Sequence, residues 1–156
     1  MTDSLWWDTA RAGGLVAAAL LAASVIAGLA VSTAPRRARP RPAWRLDLHR
    51  FLGGLACIFL VVHLGGIYFD RFVTFRVVDL VVPLTAHWHP WAVALGVVAV
   101  YLLVAVEVTS LLKPRLPIQV WRNVHHASFP LFALVQLHVL LAGTDRHSPL
   151  LLGTIV

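Results

Sequence analysis

Residues 46–69 read LDLHRFLGGLACIFLVVHLGGIYF, and the fold is decided there. The stretch is as long as a membrane span, since about 20 apolar residues cover a hydrocarbon layer of roughly 30 Å. Two histidines, His49 and His63, are set into it fourteen positions apart. At 1.5 Å per residue they stand about 21 Å apart along a helix, and fourteen steps of 100° return to nearly the same face. Ionisable side chains are costly in hydrocarbon, so those found there face a bundle interior and carry function.

Working outward, three more apolar runs cover about residues 12–34, 90–112 and 124–144. The chain has 156 residues, 59% hydrophobic and 13% charged, far from the roughly half apolar and quarter charged mix of soluble domains. Four spans with short loops use almost all of it. The expectation is an all-α integral membrane four-helix bundle, a single domain over residues 1–156, with spans at about 12–34, 46–69, 90–112 and 124–144. The first run is read as a retained helix and not a signal peptide: it is too long, the basic residues follow it, and Pro35 sits just past the cleavage-like Ser32 and Ala34. Pro90 suits the first turn of the third helix, and Pro114 and Pro117 stop it. Val77 to Leu84 is apolar but short and is expected along the outer interface. Leu150 to Val156 is too short to cross, and no internal repeat, low-complexity segment or lipidation motif is present.

The formal charge is +6. Arg36, Arg37, Arg39, Arg41 and Arg45 lie between the first two spans, and Lys113, Arg115 and Arg122 between the third and fourth; these are eight of the thirteen basic residues. Clustered so, they read as a topology signal and not as a nucleic-acid surface. The basic loops then face the cytoplasm and both termini the outside, in a multi-pass protein of the cell membrane. Cys57 has no partner cysteine and Met1 is the only methionine. Disulfides, zinc-thiolate sites and methionine ligation of a heme therefore drop out.

The fourth span carries His125, His126 and His138. A neutral imidazole is the usual protein ligand of heme iron, and the matching spacings favour that role over incidental packing. His125 and His138 are thirteen positions apart, about 20 Å along a helix. The second and fourth helices are separated by one re-crossing and run parallel. His49 is thereby level with His125 or His126, and His63 with His138, giving two sites at matched depths. Ideal helices leave one difficulty: His125 lies roughly 140° around the axis from His138, and His126 about 120°. Pro130, between them, is expected to supply a kink or local unwinding. This arithmetic does not choose between His125 and His126.

Other polar residues have weaker claims. Arg45, Arg50 and Arg122 lie near the cytoplasmic histidines, where a guanidinium matches a heme propionate with two parallel hydrogen bonds, or simply anchors the topology. Arg71 and Arg76 are placed to serve an outer heme in the same way, with a solvated loop as the plainer reading. Glu107 sits near the cytoplasmic end of the third helix. His87, Trp88 and His89 read as an aromatic-belt edge before a metal site. His147, in the tail, carries no specific signal.

Leu48-His49-Arg50-Phe51-Leu52-Gly53, His63, Trp121-Arg122 followed by His125, and His138 followed by Leu141-Ala142-Gly143-Thr144-Asp145 together resemble the ferric reductase-like transmembrane family. That family includes ferric reductases, NADPH oxidases and the membrane heme subunit of a methionine sulfoxide reductase system. The resemblance covers roughly residues 11 to 148. It implies two stacked bis-histidine b hemes, and it favours His125 over His126 as the ligand. The larger reductases have six spans plus flavin and nicotinamide domains; four spans are read here, with no Gly-x-Gly-x-x-Gly turn. A separate flavoprotein reductase, a quinol, or a flavin or quinone held at the cytoplasmic face is then required as the electron source.

The leading expectation is a transmembrane electron conduit, an oxidoreductase component passing electrons from an inner heme on His49 and His125 to an outer heme on His63 and His138, and on to an outer acceptor. One alternative is a heme-bearing anchor subunit that passes electrons between quinone and a larger oxidoreductase. Another is a small non-redox membrane protein that uses its histidines for packing or protons.

Overall fold

A computed structural model describes residues 3–33, 43–71 and 73–143, and among them every regular element is helical. The order is α1 (Asp3–Ser32), α2 (Ala43–Phe69), α3 (Val77–Val81), α4 (Pro90–Leu111), a 3₁₀ turn (Lys113–Arg115), α5 (Ile118–His125) and α6 (Ser128–Ala142). Four stretches are each long and apolar enough to cross a membrane: Leu5–Ser32, Ala43–Phe69, Pro90–Leu111 and Ile118–Ala142. Arg36, Arg37, Arg39, Arg41, Thr144, Asp145, His147 and the Leu150–Val156 stretch lie outside the described residues. The chain divides into two compact units, Met1–Thr74 and Phe75–Val156.

The first unit is a pair of antiparallel helices, with Gly14 of α1 against His63 of α2 and Gly28 against His49. Small residues make that approach close. Ala10, Gly13, Ala18, Leu21 and Ser24 form the buried stripe of α1, and Gly53, Ala56 and Gly66 its counterpart on α2. A Cβ on Gly66 would stand 2.6 Å from the Ala10 nitrogen, so the two backbones touch there. Helices in lipid associate through this packing, because a lipid tail already satisfies large apolar side chains. Leu15, Ile26, Phe51, Ile58 and Val61 are accordingly left exposed. Beyond α2, the Asp70 carboxylate accepts the Val73 N–H at 2.9 Å and closes the turn.

The second unit packs α4 against α5 and α6. Helix α4 begins at Pro90, with His89 in the left-handed region (φ 41°) as its cap, and ends before Lys113-Pro114. Both boundaries follow the proline signals. Tyr101 on α4 donates its hydroxyl hydrogen to the Val81 carbonyl and ties α3 to it.

Two boundaries differ from the sequence expectation by more than three residues. Helix α1 starts at Asp3, because the polar first turns need only helical hydrogen bonds, not hydrocarbon. The fourth span starts at Ile118, directly after the extended Pro117, so Gln119, Arg122 and Asn123 belong to a helix whose polarity had hidden it. The expected break near Pro130 is present, four residues earlier than the proline itself. Pro130 has no N–H to offer the His126 carbonyl, which accepts instead from Phe129 N at 3.2 Å, while Ala127 N bonds Val124 O at 2.9 Å. These i, i+3 bonds wind the chain tighter, by about 20° per residue relative to an α-helix, so two or three such residues recover roughly 40–60° of the offset between His125 and His138.

Candidate functional site

Each histidine of the first unit is gripped by α1. The His63 ring meets the Ala10 carbonyl at 2.6 Å through Nδ1. A carbonyl only accepts, so the hydrogen is on Nδ1 and the neutral ring carries its lone pair on Nε2. His49 Nδ1 meets the Ser24 carbonyl at 2.9 Å and the Ser24 hydroxyl at 3.1 Å, and that hydroxyl donates to the His49 carbonyl at 3.2 Å. The same tautomer follows.

Glycines give the rings room. A Cβ on Gly14 would lie 2.7 Å from His63 Nδ1, and one on Gly28 3.2 Å from the His49 ring. Helix α1 thus repeats one device, a carbonyl acceptor followed four residues later by a glycine, at Ala10/Gly14 and Ser24/Gly28. The two copies are fourteen positions apart, as His49 and His63 are.

The second unit uses the device again. His138 Nδ1 meets the Ala92 carbonyl at 2.7 Å, and a Cβ on Gly96, four residues on, would stand 2.9 Å from the ring. Fourteen positions beyond Gly96 comes Ser110, whose hydroxyl lies 3.4 Å from His125 Nδ1. Trp121 stacks on the His125 ring with centroids 5.0 Å apart and planes 22° apart, and Lys113 Nζ stands 4.0 Å from the indole centre. His126, which the helix arithmetic left equal to His125, is exposed, and its ring makes no hydrogen bond among the described residues.

The remaining sequence candidates fall into two groups. Arg50 and Arg122 are exposed and extend from the helices that carry His49 and His125, and Arg45 lies 5.7 Å from the Trp44 ring. Arg71 is exposed and Glu107 half-buried. Arg76 is exposed, and its guanidinium pairs with the buried Asp79, with Nη2 at 2.9 Å from Oδ1 and Nε at 3.2 Å from Oδ2. The Arg76 side-chain bonds hold the Asp79 carboxyl down at about 2, helped by the Arg76 backbone N–H and opposed by burial. That pair organises the α3 turn. His87 and His89 are exposed, with the His89 ring edge-on to Trp88 at 4.4 Å. Among the described residues no three His, Cys, Asp or Glu side chains converge on one point.

Sequence reasoning found the histidines and read Lys113 only as a topology charge, but it passed over Ser24, Gly14, Gly28, Gly96 and Ser110. A signal for them existed, in small residues on α1 and α4 recurring with the fourteen-residue spacing of the histidines.

A family model described as the ferric reductase like transmembrane component matches residues 13–136. The match takes in His49, His63 and His125 and stops just short of His138. No curated protein and no solved structure matches the chain.

Proposed function

The chain belongs to the ferric reductase-like transmembrane family, and from that premise we propose that this multi-pass membrane protein carries electrons across the membrane through two b-type hemes ligated by His49, His63, His125 and His138. The observation that carries the reading is the shared setting of the four imidazoles. Each has Nδ1 against a polar group on a neighbouring helix, a carbonyl acceptor for three and the Ser110 hydroxyl for the fourth. Metal-bound histidines are fixed in this way, with the second nitrogen hydrogen-bonded so that Nε2 carries the lone pair for the iron. The residues fit heme iron: neutral imidazoles, two for each of two irons, with no methionine besides Met1 and no second cysteine in the sequence.

The levels read from the sequence pair His49 with His125 and His63 with His138. His125 is preferred to His126 because its ring is held and that of His126 is exposed. Arg50 and Arg122 would meet propionates of the group on the first pair. Bound so, a bis-histidine heme supplies a one-electron iron couple with no open position for oxygen. The protein's own part is to fix the ring planes, set the ligand strength of each imidazole and exclude water with apolar helices.

Electrons run from the side of the basic loops, read as cytoplasmic, to the outer side at the termini, in the cell membrane. Their source is a separate flavoprotein reductase, a quinol, or a flavin or quinone at the cytoplasmic face, and their destination an outer acceptor. The test is the optical spectrum of the purified protein. Two noncovalent hemes b per chain, with sharp α and β bands on dithionite reduction and full release into acid acetone, are expected. A heme-free preparation from cells supplied with ample heme would overturn the reading.

A further inference from the structure

The support of His125 differs in kind from that of the other rings. His49, His63 and His138 meet backbone carbonyls at 2.9, 2.6 and 2.7 Å. His125 meets a hydroxyl at 3.4 Å, a long contact to a group that rotates. It is also the last residue of α5, next to the turn at His126 and Ala127.

What lies against it is an aromatic face. Trp121 stands four residues earlier on α5, the spacing at which helix side chains meet, and its ring is close to parallel with the imidazole. Lys113 stands over the indole at 4.0 Å, a favourable cation–π distance. The Trp121 Nε1–H is buried and has no acceptor among the described residues. Burying an unpaired donor is unfavourable, so the indole is held by its faces and not by its N–H.

We propose that Trp121, steadied by Lys113, is a positioning residue that sets the plane of the His125 imidazole and thereby the electronic character of the iron that His125 ligates. The proposal rests on the reading of His125 as an axial heme ligand. In a ferric heme with two imidazoles, the angle between the ring planes sets the splitting of the iron d orbitals and hence the largest g-value. Hydrogen bonding at Nδ1 sets how strongly the ring donates. A plane fixed by stacking, with a weak Nδ1 contact, controls the first quantity while raising the second little.

The experiment is low-temperature electron paramagnetic resonance and redox titration of the full-length holoprotein and its variants. Trp121→Ala should shift or broaden the largest g-value of one heme, or empty that site, and leave the other heme's signal unchanged. Trp121→Phe keeps an aromatic face and removes the N–H, and it should restore the wild-type signal. Unchanged signals in Trp121→Ala overturn the proposal, as does a Trp121→Phe protein perturbed as strongly as Trp121→Ala. If Trp121→Ala does not fold, Trp121→Leu, bulky but without an aromatic face, is read against Trp121→Phe on the same terms. His125→Ala separates the two readings: loss of one heme upholds His125 as a ligand whatever the tryptophan variants do, and retention of both hemes removes the ligand reading itself.

Discussion

In the first unit both histidines sit on one uninterrupted helix, α2, fourteen residues apart; in the second they sit thirteen apart, on either side of the break between α5 and α6. Fourteen residues nearly complete whole turns, so α2 needs no distortion to present two rings to α1. Thirteen do not, and the second unit closes part of the difference by winding tighter where Pro130 denies the His126 carbonyl its usual donor. The partner helices mirror each other more closely than the histidine-bearing ones: α1 offers Gly14 and Gly28, α4 offers Gly96 and Ser110, each pair at the same spacing. A regular helix in one unit and an irregular one in the other each present two rings to their own partner helix.

The comparison breaks most sharply at the rings themselves. His63→Ala and His138→Ala should each cost one heme of two, and the same one. His49→Ala and His125→Ala should cost the other, and His126→Ala neither, all read from the reduced α-band and pyridine hemochrome content. A His126→Ala protein that loses a heme while His125→Ala keeps both would move the ligand by one residue and undo the account of the break.

The glycines give a graded series. Gly66→Ala places a Cβ 2.6 Å from the Ala10 nitrogen and forces the α1 and α2 backbones apart. Overpacking of that kind costs about 1–3 kcal/mol, so the melting temperature in detergent should fall, while Gly65→Ala, with nothing within 4 Å, leaves it unchanged. Gly14→Ala and Gly96→Ala, at 2.7 and 2.9 Å from ring atoms, should each lower heme content by up to one equivalent; Gly28→Ala, at 3.2 Å, should lower it less. Equal effects from Gly28→Ala and Gly14→Ala would show that the rings yield more easily than the helices.

The smallest effect belongs to the Arg76–Asp79 turn, a local feature of the second unit. The Asp79 pKa is depressed from its ordinary 3.8 to about 2 in the folded state. Its contribution is therefore fully present above the ordinary value and lost as pH falls through about 2. The amide-exchange protection factors of residues 76–82, which take out the intrinsic pH dependence of exchange, should hold steady from neutral pH to about 4 and fall below it, and Asp79→Asn should flatten that dependence. A profile as steep in Asp79→Asn as in the wild type would assign it to another group.

How legible this was depended on which physical signal each part carries. Helix α4 could be bounded because Pro90 and Pro114 mark both its ends, and the histidines stood out because imidazoles are rare in hydrocarbon. The start of α5 could not be read, because Gln119, Arg122 and Asn123 suppress hydropathy without opposing a helix. The acceptors for His63 and His138 are backbone carbonyls, identical at every residue, so no side chain marked Ala10 or Ala92. Arg76 was read as a solvated loop residue before a propionate partner, and neither reading used Asp79, three residues on, which pairs with it.

The groups that meet Nδ1 of each ring lie in the same half of the chain as that ring: Ser24 and Ala10 for His49 and His63, Ser110 and Ala92 for His125 and His138. At roughly 5–20 residues per second on the ribosome, the second half follows the first by several seconds. Nothing that seats the first two imidazoles has to wait for it. Each half can leave the translocon with its own rings already aimed.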